Sequence, residues 1–195
     1  MTRLICFGDS LTAGFGVRRG YVRYLKKLSS WEVIGRGQNG RPAFMMQSDL
    51  ADEVLSLMPD YVLLLAGLND LILYNRTPGQ IVEAFESLGK TIEKANVKPI
   101  FALNVKPGIC IDDKLSSWLP IETVHCKNLQ KLNVLTEEMC IQNNWDLIKL
   151  NEWVNKKVTD NYCSFFSDGV HPTEEIHEIM AECINSYIRE SLGGC

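Results

Sequence analysis

The segment Tyr61-Val62-Leu63-Leu64-Leu65-Ala66 has no polar face, and this limits the possible folds more than any other feature of the sequence. A strand that is apolar on both sides is typical of the centre of a parallel sheet with helices over both of its faces. Four further short runs predict the other strands, and they are Arg3–Phe7, Trp31–Ile34, Pro99–Leu103 and Trp145–Leu150. The sequence therefore predicts an α/β protein.

Amphipathic helical patterns lie between these runs. Apolar residues recur at three- and four-residue spacings in five stretches, which are Tyr21–Leu28, Leu50–Met58, Ile81–Ile92, Leu129–Cys140 and Ile176–Ile188. Strands that alternate with helices indicate a parallel sheet with right-handed crossovers, in which ligands bind beyond the carboxyl ends of the strands. A length of 195 residues suits one domain, and we expect residues 1–195 to form it.

Composition excludes several classes of partner and cofactor. The net charge of −4 gives no basic surface for nucleic acid, and no apolar run approaches the roughly 20 residues of a membrane span. The seven cysteines include no CxxC pair, so we expect reduced thiols, no metal site and no cofactor. No signal-peptide pattern precedes the first strand, which favours a cytoplasmic protein, although a trimmed secreted form would look the same. The oligomeric state stays open.

Four short polar segments, far apart in the sequence, together hold the groups that one hydrolytic site needs. They are Gly8–Leu11, Gly37, Gly67–Asp70 and Asp168–His171. The first three follow predicted strands, so we expect them at one edge of the sheet. The fourth precedes the last predicted helix.

Ser10 and His171 are the predicted nucleophile and base. A serine hydroxyl needs a base to take its proton, and the chain has only three histidines. His171 alone has a carboxylate at a useful spacing, Asp168, which can orient the imidazole. We expect His177 to face solvent or a helix edge, and His125 lies near a helix start without a suitable carboxylate. Turn and helix-cap roles for Ser10 and for the Asp168 turn remain the alternative.

An acyl-transfer site also needs donors directed at the developing oxyanion. The backbone N–H groups of Ser10 and Gly37 and the side-chain amide of Asn69 are the three candidates. Glycine at position 37 allows the backbone to come close without a Cβ.

The stretch Gly35–Gly40 also matches GxGxxG, but Arg41-Pro42 follows where a dinucleotide site would open its helix. A dinucleotide-dependent oxidoreductase is therefore a weaker hypothesis, and no GxSxG nucleophile elbow is present.

At these residues the chain resembles the GDSL, or SGNH, superfamily of esterases and lipases. The four matching blocks are Gly8-Asp9-Ser10-Leu11, Gly37, Gly67-Leu68-Asn69-Asp70 and Asp168-Gly169-Val170-His171. The resemblance implies a flavodoxin-like three-layer α/β/α sandwich with a five-stranded parallel sheet. It also implies metal-free ester hydrolysis with Ser10, Asp168 and His171 as the catalytic triad, and Ser10, Gly37 and Asn69 as the oxyanion hole. Gln38-Asn39-Gly40-Arg41 resembles a turn of the aryl- and acetylesterase branch, although Pro42-Ala43 departs from it.

The substrate is predicted only as a small-molecule ester, with an acetyl or short acyl group preferred. A thioesterase or lysophospholipase, and a non-catalytic module that binds acylated sugars, remain alternatives. Residues 105–124 form either a lid over the site or a surface excursion. We interpret Phe44-Met45-Met46 as a loop in which Met45 and Met46 line an acyl pocket or pack in the core.

Overall fold

The computed structural model describes residues 1–110 and 120–193 and contains a five-stranded, all-parallel sheet. Its strands are β1 (Arg3–Gly8), β2 (Glu32–Gly37), β3 (Tyr61–Leu65), β4 (Lys98–Ala102) and β5 (Asp146–Ile148). They lie in the order β2-β1-β3-β4-β5, with the apolar β3 at the centre as predicted. This order is that of flavodoxin-like folds, and it confirms the predicted fold class.

Eight α-helices cover the sheet in the described ranges. They are α1 (Ser10–Ala13), α2 (Tyr21–Leu28), α3 (Ala43–Glu53), α4 (Leu68–Leu73), α5 (Pro78–Lys94), α6 (Thr123–Asn143), α7 (Leu150–Lys157) and α8 (Glu174–Ser191). Alternate residues of the central strands enter separate cores, because successive side chains of a strand point to opposite faces. Leu63 and Leu65 pack with α2, α7 and α8, whereas Val62 and Leu64 pack with α3, α5 and α6.

The connections after β1 and β3 leave toward opposite faces of the sheet. β1 leads to α1 and α2 on one face, and β3 leads to α4 and α5 on the other. In open α/β sheets such a point of divergence forms a crevice at the carboxyl ends of the strands. The residues that follow β1 and β3 therefore line the two sides of this crevice.

Two strand predictions needed adjustment. β2 runs on through Gly35 and Gly37, where a turn was expected, because it pairs with β1 as far as Gly8 opposite Gly37. β5 ends at Ile148, and Leu150, predicted in the strand, instead begins α7 and is fully buried.

The helix predicted from Leu50 to Met58 in fact begins at Ala43, so Phe44–Met46 lies in its first turn rather than in a loop. Met46 is fully buried in the core, whereas the side chain of Met45 is 45% exposed. Residues 111–119 of the predicted lid or surface excursion lie outside the described residues.

The expectation of reduced thiols is wrong for one pair of cysteines. Cys110 and Cys126 form a disulfide that joins the segment after β4 to the first turn of α6. Cys6 is a buried core residue with a free thiol, as predicted. The sequence could not reveal the pair, because 16 residues separate the two cysteines without a recognisable motif.

Gly89, in the middle of α5, gives a direct test of this packing. A Cβ at this position would lie 2.3 Å from the ring carbon Cη2 of Trp145. Gly89→Ala should therefore lower the free energy of unfolding by about 1–3 kcal/mol, as overpacking does, although alanine normally favours a helix. Urea unfolding followed by circular dichroism measures the change.

Gly79→Ala is the matched control in the first turn of the same helix, where the nearest atom to a new Cβ is 4.0 Å away. This variant should be as stable as the wild type or gain up to about 1 kcal/mol. Equal effects of the two substitutions would contradict the packing of α5 on Trp145.

Candidate active site

Ser10 is the first residue of α1 and lies directly beyond the end of β1. Asp9 caps the helix, since its Oδ1 accepts a hydrogen bond from the Leu11 N–H at 3.0 Å. Ser10 is 6% exposed. The cap fixes the direction of the short helix and, with it, the position of the serine hydroxyl.

Asp168 and His171 lie in a tight turn before α8. Oδ1 of Asp168 accepts hydrogen bonds from the backbone N–H groups of Val170 (3.0 Å) and His171 (2.7 Å). Its other oxygen, Oδ2, lies 2.7 Å from Nδ1 of His171. One carboxylate thus fixes both the turn and the ring.

The imidazole joins this turn to Ser10. Nε2 of His171 lies 3.0 Å from Oγ of Ser10, although 161 residues separate them in the sequence. The ring of Phe15 lies 4.6 Å from that of His171, measured between centroids. The structure therefore brings the three predicted catalytic residues into one hydrogen-bonded chain.

The electrostatics of this chain favour a charged Asp168. Partial burial alone would raise the pKa of its carboxyl group. The hydrogen bonds from the backbone and ring of His171 and from the Val170 N–H outweigh that effect and lower the pKa. An ionised Asp168 accepts a hydrogen bond from Nδ1–H of His171, which leaves Nε2 as the acceptor toward Ser10.

Gly37 ends β2 beside Gly8, the residue at the end of β1. A Cβ on Gly37 would lie 2.1 Å from the backbone nitrogen of Ala13, at the end of α1. Glycine is therefore required here by the close approach of α1, a reason that sequence reasoning did not supply. The sequence analysis instead predicts that glycine at position 37 lets the backbone approach an oxyanion.

Asn69 lies in the first turn of α4, directly after β3 and Gly67. Its side chain is 8% exposed, and Nδ2 donates a hydrogen bond to the carbonyl oxygen of Arg41 at 3.3 Å. The amide is thus held against the turn between β2 and α3, across the crevice from α1.

Asp70, the neighbour of Asn69, is fully buried and acts on a different helix. Its Oδ2 accepts from the Ala43 N–H at 2.6 Å, and its Oδ1 from the Phe44 N–H at 3.4 Å. Burial raises the pKa of its carboxyl group, and these two N–H groups oppose the rise. This distant cap explains why α3 begins at Ala43.

Asn104 is a site neighbour that sequence reasoning missed. Its Nδ2 donates to the carbonyl oxygen of Ala66 at 2.8 Å, just before the Gly67–Asp70 segment. Its backbone N–H and C=O both bond to the side chain of Asn133, at 3.0 and 2.9 Å. The sequence could have indicated Asn104 as a site residue, because it directly follows the fourth predicted strand.

The other two histidines are structural. Nδ1 of His125 accepts from the Glu122 N–H at 2.9 Å at the start of α6. Of the two alternatives expected for His177, the solvent-facing one is wrong: the residue is 1% exposed, and its Nδ1 accepts from the Tyr21 N–H at 3.2 Å. Burial lowers the pKa of His177 to about 4, and the charge of nearby His171 adds to that shift.

Gly35 and Gly37 of the GxGxxG match lie inside β2, and α3 begins only at Ala43. The local structure therefore differs from a dinucleotide site, in which the glycines open a helix directly.

Within residues 1–110 and 120–193, no group of three or more His, Cys, Asp or Glu side chains is arranged to hold a metal ion. No helix in those ranges has the length and apolar character needed to cross a membrane.

The fold and the site together are typical of α/β ester hydrolases. Residues 6–179 match the model of the GDSL-like lipase/acylhydrolase family. The chain belongs to this family, which confirms the resemblance seen in its four blocks. No curated protein matches the sequence.

Solved structures support the same fold. A member of the lipolytic protein G-D-S-L family from Veillonella parvula DSM 2008 is 20% identical, with a TM-score of 0.80 over 97% of this chain and 100% of its own. The acetyl xylan esterase AlAXEase is 21% identical, with a TM-score of 0.79 over 95% and 99%. A GDSL-like lipase from Bacteroides thetaiotaomicron VPI-5482 is 22% identical, with a TM-score of 0.78 over 97% and 89%.

The lowered pKa of His177 predicts a pH-dependent contribution to stability. Below about pH 6.5 the unfolded chain binds a proton at this residue, whereas the folded protein does so only near pH 4. The contribution of neutral His177 is therefore complete above that range and is lost as the pH falls through it. Asparagine can keep the acceptor for the Tyr21 N–H but does not titrate.

We expect the stability of the wild type relative to His177→Asn to fall by about 2 kcal/mol between pH 7 and pH 5. Urea unfolding at the two pH values measures this difference. Comparison with the variant cancels the titration of all other groups. A pH-independent difference between the two proteins would show that the pKa of His177 is not lowered.

Proposed function

We propose that the protein is a serine esterase that hydrolyses carboxylic esters through an acyl-enzyme intermediate. The observation that carries the proposal is the chain of contacts from Ser10 Oγ to His171 Nε2 (3.0 Å) and from His171 Nδ1 to Asp168 Oδ2 (2.7 Å). A helix cap would explain Ser10 alone, and a turn would explain Asp168 alone. Neither alternative explains why an imidazole bridges them.

In the first half-reaction, Ser10 Oγ attacks the acyl carbonyl carbon while Nε2 of His171 takes the hydroxyl proton. Asp168 orients the ring and stabilises the imidazolium that forms. The tetrahedral intermediate then collapses, and His171 gives its proton to the oxygen of the leaving alcohol. This leaves the acyl group on Ser10.

In the second half-reaction, water attacks the acyl-enzyme and His171 takes one of its protons. Collapse of the second intermediate releases the carboxylic acid, and the proton on His171 returns to Ser10 Oγ. Both intermediates carry negative charge on the former carbonyl oxygen, and preorganised donors lower the energy of that charge. We assign this role to the Ser10 N–H, the Gly37 N–H and the Asn69 amide.

A small acyl group such as acetyl is the preferred substrate. Met46 lies in the core, so it does not line an acyl pocket, and the ring of Phe15 lies beside that of His171 at a centroid distance of 4.6 Å. One similar structure is an acetyl xylan esterase, which agrees with this preference. A thioesterase or lysophospholipase with the same residues is the alternative.

The cytoplasmic location remains a prediction. Disulfides form and persist mainly in oxidising compartments, so the Cys110–Cys126 pair argues against it.

Ser10→Ala should lower the turnover of p-nitrophenyl acetate by at least about 10⁴-fold, because removal of the nucleophile disables the whole triad. A phosphonate that reacts with activated serines should label the wild type once, at Ser10, by intact mass and peptide mapping. Ser48→Ala, which changes an exposed serine in α3, should be labelled like the wild type.

Near-full activity of folded Ser10→Ala would overturn the nucleophile assignment. Absence of labelling in the wild type, together with absence of turnover, would support the non-catalytic binding module instead.

A series of p-nitrophenyl esters tests the acyl preference. We expect kcat/KM to be highest for acetate to butyrate and to fall with longer chains. A maximum at octanoate or longer would contradict the small-acyl proposal. Faster turnover of acetyl thioesters than of matched oxygen esters would favour the thioesterase alternative.

A further inference from the structure

Arg41 is almost completely buried, with 3% of its surface exposed, in the turn between β2 and α3. Arginine is rarely buried to this extent unless it is paired. Its Nη1 donates to the carbonyl oxygen of Arg36 at 3.0 Å. Its Nη2 donates to Oε1 of Gln38 (2.8 Å) and pairs with Oε2 of Glu53 (2.7 Å), and its Nε forms an ion pair without a hydrogen bond with Oδ2 of Asp49, 3.3 Å away.

These contacts join two separate parts of the structure. Arg36 and Gln38 flank Gly37, the proposed oxyanion donor at the end of β2. Asp49 and Glu53 lie on α3. Burial of a charged guanidinium is costly unless partners of this kind surround it. The side chain of Arg41 therefore fixes the residues on both sides of Gly37 to α3.

The main chain of Arg41 reaches the second proposed donor. Its carbonyl oxygen accepts the hydrogen bond from Nδ2 of Asn69 at 3.3 Å. A side-chain amide carries two N–H groups, and their plane is rigid. When one N–H donates to Arg41, the direction of the other is set. The position of the Arg41 carbonyl thus decides where the remaining N–H of Asn69 points.

The guanidinium also contacts β1, the strand that leads to Ser10. It lies over the ring of Phe7, with its central carbon 4.8 Å from the ring centroid. Burial raises the pKa of the Asp9 carboxyl group to about 7, and the charge of Arg41 is one of the smaller effects that oppose this rise. Arg41 is thus placed between the three segments that supply the proposed oxyanion donors.

We propose that Arg41 is a positioning residue of the oxyanion hole. The guanidinium contacts hold the Arg41 carbonyl, and that carbonyl orients the amide of Asn69, which is the one donor through which Arg41 acts. The inference rests on the proposed function, because it requires Asn69 to bind an oxyanion. Since an oxyanion forms only during the reaction, loss of Arg41 should lower kcat and leave KM nearly unchanged.

A double-mutant cycle with p-nitrophenyl acetate separates this role from a general effect on stability. Asn69→Ala should lower kcat by roughly ten- to a thousandfold. Arg41→Met, which keeps the length of the side chain, should lower kcat by roughly ten- to a hundredfold, as misplacement of a catalytic group does. The double variant should be within about twofold of the slower single variant, because the two residues act as one unit.

Arg3→Met is the matched control. Arg3 is a partly buried arginine that pairs with Glu32. The two residues begin β1 and β2, so the pair lies at the ends of these strands opposite the site. Its replacement should leave kcat close to that of the parent protein, in both the wild-type and the Asn69→Ala background. Circular dichroism and thermal unfolding establish that each variant is folded.

The two proposals fail in different ways. An unchanged kcat in Arg41→Met, or multiplicative losses in the double variant, would overturn the role of Arg41, whereas a loss in Asn69→Ala would still support the oxyanion hole. An unchanged kcat in Asn69→Ala would overturn the oxyanion role of Asn69 and the role of Arg41 with it.

Arg41→Lys keeps the proposal testable if Arg41→Met does not fold. A lysine keeps the charge near Glu53 but lacks the planar fork that bonds several partners at once. It should lower kcat by roughly three- to tenfold, a smaller misplacement than for methionine, and should add no further loss to Asn69→Ala. A kcat equal to that of the wild type, or a further loss in Asn69→Ala, would overturn the role of the guanidinium contacts.

Discussion

The pairing of β1 with both β2 and β3 is the constraint on which the rest of the site depends. Gly8, the last residue of β1, lies opposite Gly37 on one side and Leu65 on the other. All three strands are parallel, so they end at the same edge of the sheet. Ser10, Gly37 and Asn69 follow or occupy these ends, and a shift of one residue in either register would move two of them apart.

The turn at Asp168 brings Asp168 and His171, the proposed acid–base pair, from the far end of the sequence. It is held locally by hydrogen bonds from the backbone N–H groups of Val170 and His171 to Asp168, and by one from Ser167 N–H to His171 O at 3.0 Å. The Ile109 N–H also donates to the Gly169 carbonyl at 2.9 Å, which joins this turn to the segment after β4. His171 is thus positioned by its own turn and by a loop of the sheet edge.

Local patterns predicted much of this arrangement. The apolar strand at Tyr61–Ala66 fixed the class of fold, and polar residues directly after strand ends indicated the site. The missed features depend on contacts between distant residues. α3 starts at Ala43 because of a carboxylate 27 residues away, and His177 is buried because α2 packs on α8. No local pattern reports either contact, and the same is true of the Cys110–Cys126 bond.

The buried titratable groups around the site have opposing effects on stability. Burial raises the pKa of Asp9 to about 7, so the folded protein binds this proton more readily than the unfolded chain. The contribution of Asp9 to the free energy of unfolding therefore increases as the pH falls from neutral toward 4. The effect of His177 becomes less favourable over much of the same range.

The two shifts have opposite signs, so they partly offset each other in the wild type, and the raised pKa of Asp70 acts in the same direction as that of Asp9. A weak dependence of stability on pH would therefore not mean that the interior lacks titratable groups. Asp168 behaves differently, because its pKa is lowered. Its contribution persists to lower pH and is lost only when the carboxylate that orients His171 takes up a proton.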